Sequence, residues 1–239
     1  ISQEKFLMEL HEFTWGKEEE QNQDEFNLEF NIFGSTNPKE TAELLPIAEM
    51  YIASDEFVDF IGRNNVDFIS LLGSLWDYSG IFDRKLKHSK AVYINNPTIN
   101  IISGNTPEGF AMAFPPEIQG QGFFSRLLLI NAEPSGRKFH LLDPPQDSHI
   151  KQALEYINQI KSVCIGATTI TPEANLLLEH IYKDSNSLIK DSRFQQYNGR
   201  RYTHLLKLIL IIAAARLSKE IHSCDVLMAN TLLTFAEYE

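Results

Sequence analysis

Short apolar runs that alternate with helical patterns are the feature that most restricts the fold of this chain. Residues 48–54 (AEMYIAS) and Thr98–Ser103 (TINIIS) have the length and composition of strands, and residues 106–114 follow as a helix. Strands separated by helical segments are typical of α/β sheet domains. We therefore predict a mixed α/β fold, with a sheet at its core and helical crossovers.

The rest of the chain divides by pattern into further elements and into four regions. The remaining predicted elements are helices at 1–15, at 65–76 and from Pro38–Glu40, and strands at 26–33, 91–94 and 126–131. Two more helices are predicted to begin at 171–173 (TPE) and at 223–225 (SCD), because each segment has a hydroxyl side chain that can cap a helix and an acid two residues later. The predicted regions are 1–25 (a helix with Phe6, Leu7, Leu10 and Phe13 on one face, then an acidic loop), 26–135 (the sheet core), 136–147 (a connector) and 148–239 (a helical C-terminal domain).

Composition excludes several classes of protein. The chain has 239 residues, of which 43% are hydrophobic and two are cysteines, so a disordered chain and a disulfide framework are both excluded. The longest apolar run, 205–217, includes two basic residues and is shorter than the roughly 20 apolar residues of a membrane span. We expect no membrane association and a reducing, cytoplasmic setting.

The negative charge is concentrated at the start of the chain. The net charge is −11, but residues 1–60 hold three lysines against fifteen acidic residues, and the remainder is close to neutral. A low overall isoelectric point therefore does not exclude binding to nucleic acid by the later part of the chain.

Two adjacent acids end the first apolar strand of the core. Asp55 and Glu56 follow the run MYIAS, and the carboxyl ends of strands are where open α/β sheets bind ligands. Nucleotide hydrolysis needs such a pair, one acid for Mg²⁺ and one for the attacking water. Apolar strands also end in acids for purely structural reasons, so this segment alone does not decide the function.

Two other loops follow apolar or glycine-rich runs. Asn105 comes after the strand Thr98–Ser103, where its amide could bind a phosphate or the attacking water; alternatively, Asn105 or Thr106 is only the N-cap of the next helix.

Arg126 follows the glycine-containing segment 119–125, where its guanidinium could contact phosphates in its own subunit or in a neighbouring one. Pairing with an acid is the structural alternative for Arg126.

A basic cluster with an aromatic residue begins the longest apolar helix. Residues 198–207 (NGRRYTHLLK) include Arg200, Arg201 and Lys207, a combination that binds nucleic-acid backbones. The alternative is a solvated polar face on a helix whose other face is core. The seven histidines are scattered and form no metal-binding motif, so we expect no histidine-bound metal.

Five segments of the chain occur in an order that resembles a known family. They are residues 32–45, 50–57 (MYIASDEF), 75–84 (LWDYSGIFDR), 96–110 (NPTINIISGNTPEGF) and 119–133 (QGQGFFSRLLLINAE). Together they look like the conserved blocks of an ATPase domain of phage, prophage and plasmid primase-helicase-like proteins, similar in layout to superfamily-three and other P-loop helicases.

The resemblance implies a fold and a set of roles. The fold would be the C-terminal part of a P-loop (RecA/AAA+-like) ATPase core followed by a helical domain. Asp55 would be the Walker B acid that holds Mg²⁺, Glu56 the catalytic glutamate, Asn105 the sensor and Arg126 an arginine finger or sensor. Arg84 is a weaker candidate for a phosphate or DNA contact.

The same resemblance implies partners and a cellular setting. The chain would bind ATP with Mg²⁺ and act as a DNA helicase or translocase, with single-stranded DNA as its partner. Such motors are homo-oligomers, often hexameric rings, and this one would work in the cytoplasm of a bacterial cell or phage-infected host.

One motif of that family is missing. A phosphate-binding loop has the form GxxxxGK[ST], and the one Gly-Lys pair, Gly16-Lys17, is followed by Glu18. Because the chain begins at Ile1, we expect it to be part of a longer polypeptide with this loop upstream. The alternative is a scaffold or DNA-docking subunit that does not hydrolyse ATP. A metal-dependent nuclease is weaker, since Asp59 and Asp77 are its only evident further carboxylates.

Overall fold

The computed structural model describes most of the chain as two compact units. The described residues are 2–15, 46–85, 91–114, 122–131, 136–138, 140–141, 144–184, 189–191 and 194–238. The first unit is Ile1–Phe123 and the second is Phe124–Glu239. The predicted acidic loop, the predicted strand at 26–33, the helix expected from Pro38–Glu40 and the block 32–45 lie outside the described residues.

The first unit contains helices and two small sheets, which confirms the mixed α/β class. Its elements in chain order are α1 (Gln3–Trp15), β1 (Glu49–Ser54), α2 (Phe57–Ile61), α3 (Val66–Leu75), β2 (Ile81–Lys85), β3 (Ala91–Asn95), β4 (Thr98–Ser103) and α4 (Pro107–Ala113). Strands β1 and β4 pair in parallel, and β2 and β3 pair antiparallel. The predicted elements at 1–15, 48–54, 65–76, 91–94, 98–103 and 106–114 are all present within one or two residues.

Aromatic side chains form much of the core of this unit. Phe6 of α1 packs edge-on against Phe68 of α3, with ring centroids 5.2 Å apart, and both rings are fully buried. Phe57, which opens α2, stacks on Phe114 at the end of α4 with 5.3 Å between centroids. The helices that follow β1 and β4 are therefore packed against each other, and this contact fixes the two loops that precede them.

The second unit is mainly helical. Its elements are a 3₁₀ helix (Phe124–Arg126), α5 (Asp147–Val163), β5 (Thr169–Ile170), α6 (Pro172–Lys183), α7 (Gln195–Ala215), β6 (Glu220–Ile221) and α8 (Ser223–Tyr238). A core of apolar side chains from α6, α7, β6 and α8 includes Leu178, Leu205, Ile209, Val226 and Leu233. The predicted helix starts are confirmed, and Thr171 caps α6 by accepting a hydrogen bond from the amide of Ala174 at 3.2 Å.

Two predictions about local structure are wrong. Residues 126–131 are not a strand: Arg126 ends the 3₁₀ helix, residues 127–131 are irregular, and Ile130 is 79% exposed. A strand needs a partner for its backbone groups, and within the described residues this segment pairs with none. Phe13 is 52% exposed although it was placed on the buried face of α1, where Phe6, Leu7 and Leu10 are indeed fully buried.

The long apolar helix is a core element. Tyr197, His204, Leu205, Ile209 and Ala213 of α7 are buried on one face. In the described part of the chain, no helix is long and apolar enough to cross a membrane.

Candidate functional site

The ends of β1 and β4 lie side by side. The two strands are parallel and in register, with Ser54 opposite Ser103, so the residues that follow them leave the sheet at the same edge. Asp55 and Glu56 follow β1, and Gly104 and Asn105 follow β4. The structure therefore brings together the acidic pair and the amide that the sequence suggested as parts of one site.

Hydrogen bonds continue the strand pairing into these loops. The amide of Gly104 donates to the carbonyl of Ser54 at 3.3 Å, and the amide of Phe57 donates to the carbonyl of Gly104 at 3.0 Å. The hydroxyl of Ser103 donates to the carbonyl of Ser54 at 2.8 Å. The loop that carries the acids is thus held directly against the loop that carries Asn105.

Gly104 is required by the closeness of the two loops. A Cβ atom at this position would lie 2.9 Å from the backbone oxygen of Asp55, a distance that carbon and oxygen do not tolerate without movement of the backbone. Any other residue at 104 would push the β1 and β4 ends apart.

Both acids of the pair face solvent. Asp55 and Glu56 are exposed, and Glu56 stands at the N-cap position of α2 without using its side chain as a cap. The hydroxyl of Ser54 donates to the Glu56 carbonyl at 2.8 Å, which fixes the turn between them. Two carboxylates on a fixed backbone are therefore accessible to a ligand at this edge.

The structural alternative named Asn105 or Thr106 as the helix cap, and the structure confirms Thr106 and not Asn105. Thr106 caps α4, its hydroxyl accepting from the amide of Gly109 at 3.0 Å, with Pro107 at the first helical position. Both amide atoms of the Asn105 side chain are buried, and among the described residues neither has a hydrogen-bond partner. A buried unpaired amide costs about 1–3 kcal/mol, and a ligand or water can supply its partner only after neighbouring groups move, because these two atoms have almost no exposed surface.

Gly109 is a site residue that sequence reasoning missed. It lies in the first turn of α4, and a Cβ atom there would overlap Oδ1 of Asn105. Glycine inside a helix costs about 1 kcal/mol relative to alanine, so its presence needs a reason. The reason is the Asn105 amide, which lies directly on the surface that a Gly109 side chain would occupy. A glycine in the helix after a strand-ending asparagine was the only available signal.

The two carboxylates at this edge suit Mg²⁺ that is bound together with a nucleotide better than Mg²⁺ that is held by protein ligands alone. Within the described ranges no three histidine, cysteine or acidic side chains come together to hold a metal, so a two-metal nuclease site with Asp59 and Asp77 has no support there. Mg²⁺ usually keeps several waters and binds one or two carboxylates together with substrate phosphates. Asp55 meets that requirement, and Glu56 adds a second carboxylate beside it.

Arg126 belongs to the second unit, whereas Asp55, Glu56 and Asn105 belong to the first. It is half-buried at the end of the 3₁₀ helix, and the preceding Ser125 is buried. Nε2 of His204 lies 2.8 Å from the carbonyl oxygen of Ser125. Helix α7 therefore holds the backbone next to Arg126.

The basic residues suggested for nucleic acid have different environments. Arg84 is half-buried on β2, opposite Val92 of β3, and so lies in the antiparallel sheet rather than the sheet that carries the acids. Arg200 is half-buried and Lys207 is exposed on α7. For these three residues contact with DNA stays a prediction.

Arg201 is engaged inside the second unit. Its guanidinium donates to Glu237 at 2.6 Å, to Asn230 at 3.0 Å and to Thr234 at 3.3 Å, all on α8. The Arg201 side chain is only 12% exposed. Arg201 therefore joins α7 to α8, which is neither a solvated polar face nor a contact with a phosphate backbone.

Tyr197 binds the same carboxylate. Its hydroxyl donates to Oε1 of Glu237 at 2.8 Å. Burial, reinforced by this hydrogen bond, raises the pKa of Tyr197 well above its usual value. The phenol therefore stays protonated, and a hydrogen-bond donor, at pH values where an exposed tyrosine would ionise.

The chain matches no protein-family model, and no curated protein matches it significantly. The resemblance to the primase-helicase-like ATPases therefore stays a prediction.

Proposed function

We propose that this chain is the C-terminal part of a P-loop ATPase core with a helical domain after it, and that it belongs to an ATP-dependent DNA helicase or translocase used in phage or mobile-element replication. The observation that carries the proposal is the shared edge of β1 and β4. There the loop with two exposed acids is hydrogen-bonded to the loop that carries Asn105, whose buried side-chain amide has no partner among the described residues. Ligands of open α/β sheets bind beyond the carboxyl ends of parallel strands.

Each residue at this edge has a role in the proposed reaction. Asp55 would hold Mg²⁺ through water, and the metal neutralises phosphate charge when it is bound with ATP. Glu56 would accept a proton from the attacking water. Oδ1 of Asn105 would accept a hydrogen bond from the same water after nucleotide binding uncovers it, which would satisfy an amide atom that has no partner in the described protein.

Other residues would serve the assembled motor. Arg126 would place its cation on nucleotide phosphates, in its own subunit or in a neighbouring one of a homo-oligomeric ring. Single-stranded DNA would contact Lys207, Arg200 and Arg84, since lysine and arginine supply the phosphate contacts of DNA-binding proteins. Arg201 is left out of this set because its guanidinium is bound by α8.

ATP hydrolysis by the full-length protein, with and without single-stranded DNA, tests the proposal. We expect DNA-stimulated hydrolysis that Glu56→Gln lowers by a factor of about 10² or more, with ATP binding retained, because the base is lost but the carboxamide keeps the shape. Asp59→Asn is the matched control, since Asp59 is an exposed acid one helical turn further on. Normal hydrolysis by Glu56→Gln, or an equal loss in both variants, contradicts the assignment.

The same experiment decides the alternative of a scaffold that does not hydrolyse ATP. This alternative is favoured by the lack of a GxxxxGK[ST] motif among the 239 residues, because that loop supplies the backbone amides and the lysine that bind phosphates. DNA binding without ATP binding or hydrolysis would support the scaffold and overturn the motor.

A further inference from the structure

A buried histidine of α7 contacts the backbone just before Arg126. Nε2 of His204 lies 2.8 Å from the carbonyl oxygen of Ser125, and the two residues are 3% and 1% exposed. A carbonyl oxygen can only accept a hydrogen bond, so Nε2 carries the proton and donates it. This contact spans 79 positions in the chain and joins the 3₁₀ helix to α7.

The ring of His204 is itself held in place. It stacks on the ring of Tyr197, about two turns earlier on the same face of α7, with centroids 5.7 Å apart and planes inclined by 24°. Tyr197 is fixed in turn by Glu237 of α8. The donor that reaches Ser125 is therefore supported by side chains of α7 and α8.

The peptide group that accepts this hydrogen bond is the one that leads into Arg126. A peptide unit is planar, so fixing the carbonyl of Ser125 also fixes the direction in which the amide and Cα of Arg126 leave it. The arrangement sets the starting direction of the Arg126 side chain.

We propose that His204 is a positioning residue for Arg126, and that it acts by holding the Ser125–Arg126 peptide. The inference rests on the proposed role of Arg126 at a nucleotide phosphate. A displacement of about 1 Å in such a group lowers the rate of catalysis by a factor of about 10². The loss of the His204 donor should therefore appear in kcat for ATP rather than in KM.

Two variants of the full-length protein separate the hydrogen bond from packing. His204→Phe keeps a buried ring and removes the donor, whereas His204→Gln keeps an amide donor near the position of Nε2. We expect kcat to fall about tenfold or more in His204→Phe, with KM changed less than threefold, and to recover in His204→Gln. Equal kcat in wild type and His204→Phe overturns the inference.

A combined variant tests whether the effect passes through Arg126. Adding His204→Phe to Arg126→Ala should lower kcat no further, because the group to be positioned is already gone. A further drop of tenfold would show that His204 acts elsewhere, and would overturn the inference while leaving the motor itself intact.

Limited trypsin digestion supplies a measurement that does not depend on ATP. Trypsin cleaves after Arg126, and cleavage after Arg216 in the same unit serves as the internal standard for general opening. We expect His204→Phe to raise the first rate at least fivefold relative to the second, and His204→Gln to leave the ratio near that of wild type. An unchanged ratio in His204→Phe contradicts the positioning role, whether or not the protein hydrolyses ATP. A lack of ATP hydrolysis by wild type is a separate result and overturns the proposed function.

Discussion

Two glycines determine the geometry of the candidate site at the scale of single residues. Gly104 allows the β1 and β4 ends to touch, and Gly109 leaves room for the Asn105 amide. Neither glycine has a positive φ, so what each contributes is space and not an unusual backbone conformation. Substitution by alanine therefore tests the contacts directly.

Gly104→Ala should destabilise the first unit. Its Cβ would lie 2.9 Å from the backbone oxygen of Asp55, and crowding of this kind costs about 1–3 kcal/mol. Gly73→Ala is the matched control: its Cβ would meet nothing closer than a ring carbon of Phe123 at 3.9 Å, and α3 should gain up to about 1 kcal/mol in helix propensity. Urea unfolding measures both, and equal stability of the two variants contradicts the close contact.

Gly109→Ala should separate stability from activity. The added methyl group would displace the Asn105 side chain, whereas the gain of about 1 kcal/mol in helix propensity offsets the crowding. We expect a melting temperature within a few degrees of wild type and a kcat for ATP lowered about tenfold or more. Wild-type kcat in a folded Gly109→Ala variant would show that the position of the amide is irrelevant to hydrolysis.

An ion pair joins two neighbouring elements of the second unit. Arg216, at the end of α7, donates to both oxygens of Asp225 at 3.0 and 2.7 Å, and Asp225 also accepts from the amide of His222 at 2.8 Å. The hydrogen bond from Arg216 lowers the pKa of Asp225 below its usual value. Since Asp225 is only 1% exposed, this carboxylate locks the start of α8 to the end of α7.

The Arg216–Asp225 ion pair should stabilise the folded state less at acidic pH. A carboxyl group whose pKa is lowered by folding stabilises the folded state above the unfolded pKa of about 3.9, and this contribution is lost as the pH falls through the folded value. Asp225→Asn should cost about 1–3 kcal/mol at pH 7. Urea unfolding at several pH values should show this difference shrinking below about pH 4; a constant difference down to pH 2.5 would contradict the ion pair.

At the scale of the whole molecule, some features follow from the sequence and others do not. The strand Thr98–Ser103 and the helix after Thr106 were predictable because apolar runs and capping residues act locally. The strand expected at 126–131 was wrong because an apolar run does not reveal whether it has a pairing partner. The hydrogen bonds from Arg201 to α8 could not be predicted either, because the acceptors lie 29–36 positions away in the chain.

The candidate site, too, follows only in part from the sequence. The family resemblance implied that Asp55, Glu56 and Asn105 belong to one nucleotide site, and the structure has the residues that follow β1 and β4 at one edge of the sheet. The sequence did not reveal that Thr106 rather than Asn105 caps α4, or that Gly109 makes room for the amide. These depend on side-chain orientation, which three-dimensional packing decides.

The central claim is that the acids after β1 and the amide after β4 act on one water molecule, and a double-mutant cycle tests it most directly. Single-turnover hydrolysis of ATP would be measured for wild type, Glu56→Gln, Asn105→Ala and the double variant. If Asn105 positions the water that Glu56 activates, both single variants are slower than wild type, and the double variant is no more than about threefold slower than Glu56→Gln. Losses that multiply in the double variant, or wild-type hydrolysis by Asn105→Ala, would contradict the account.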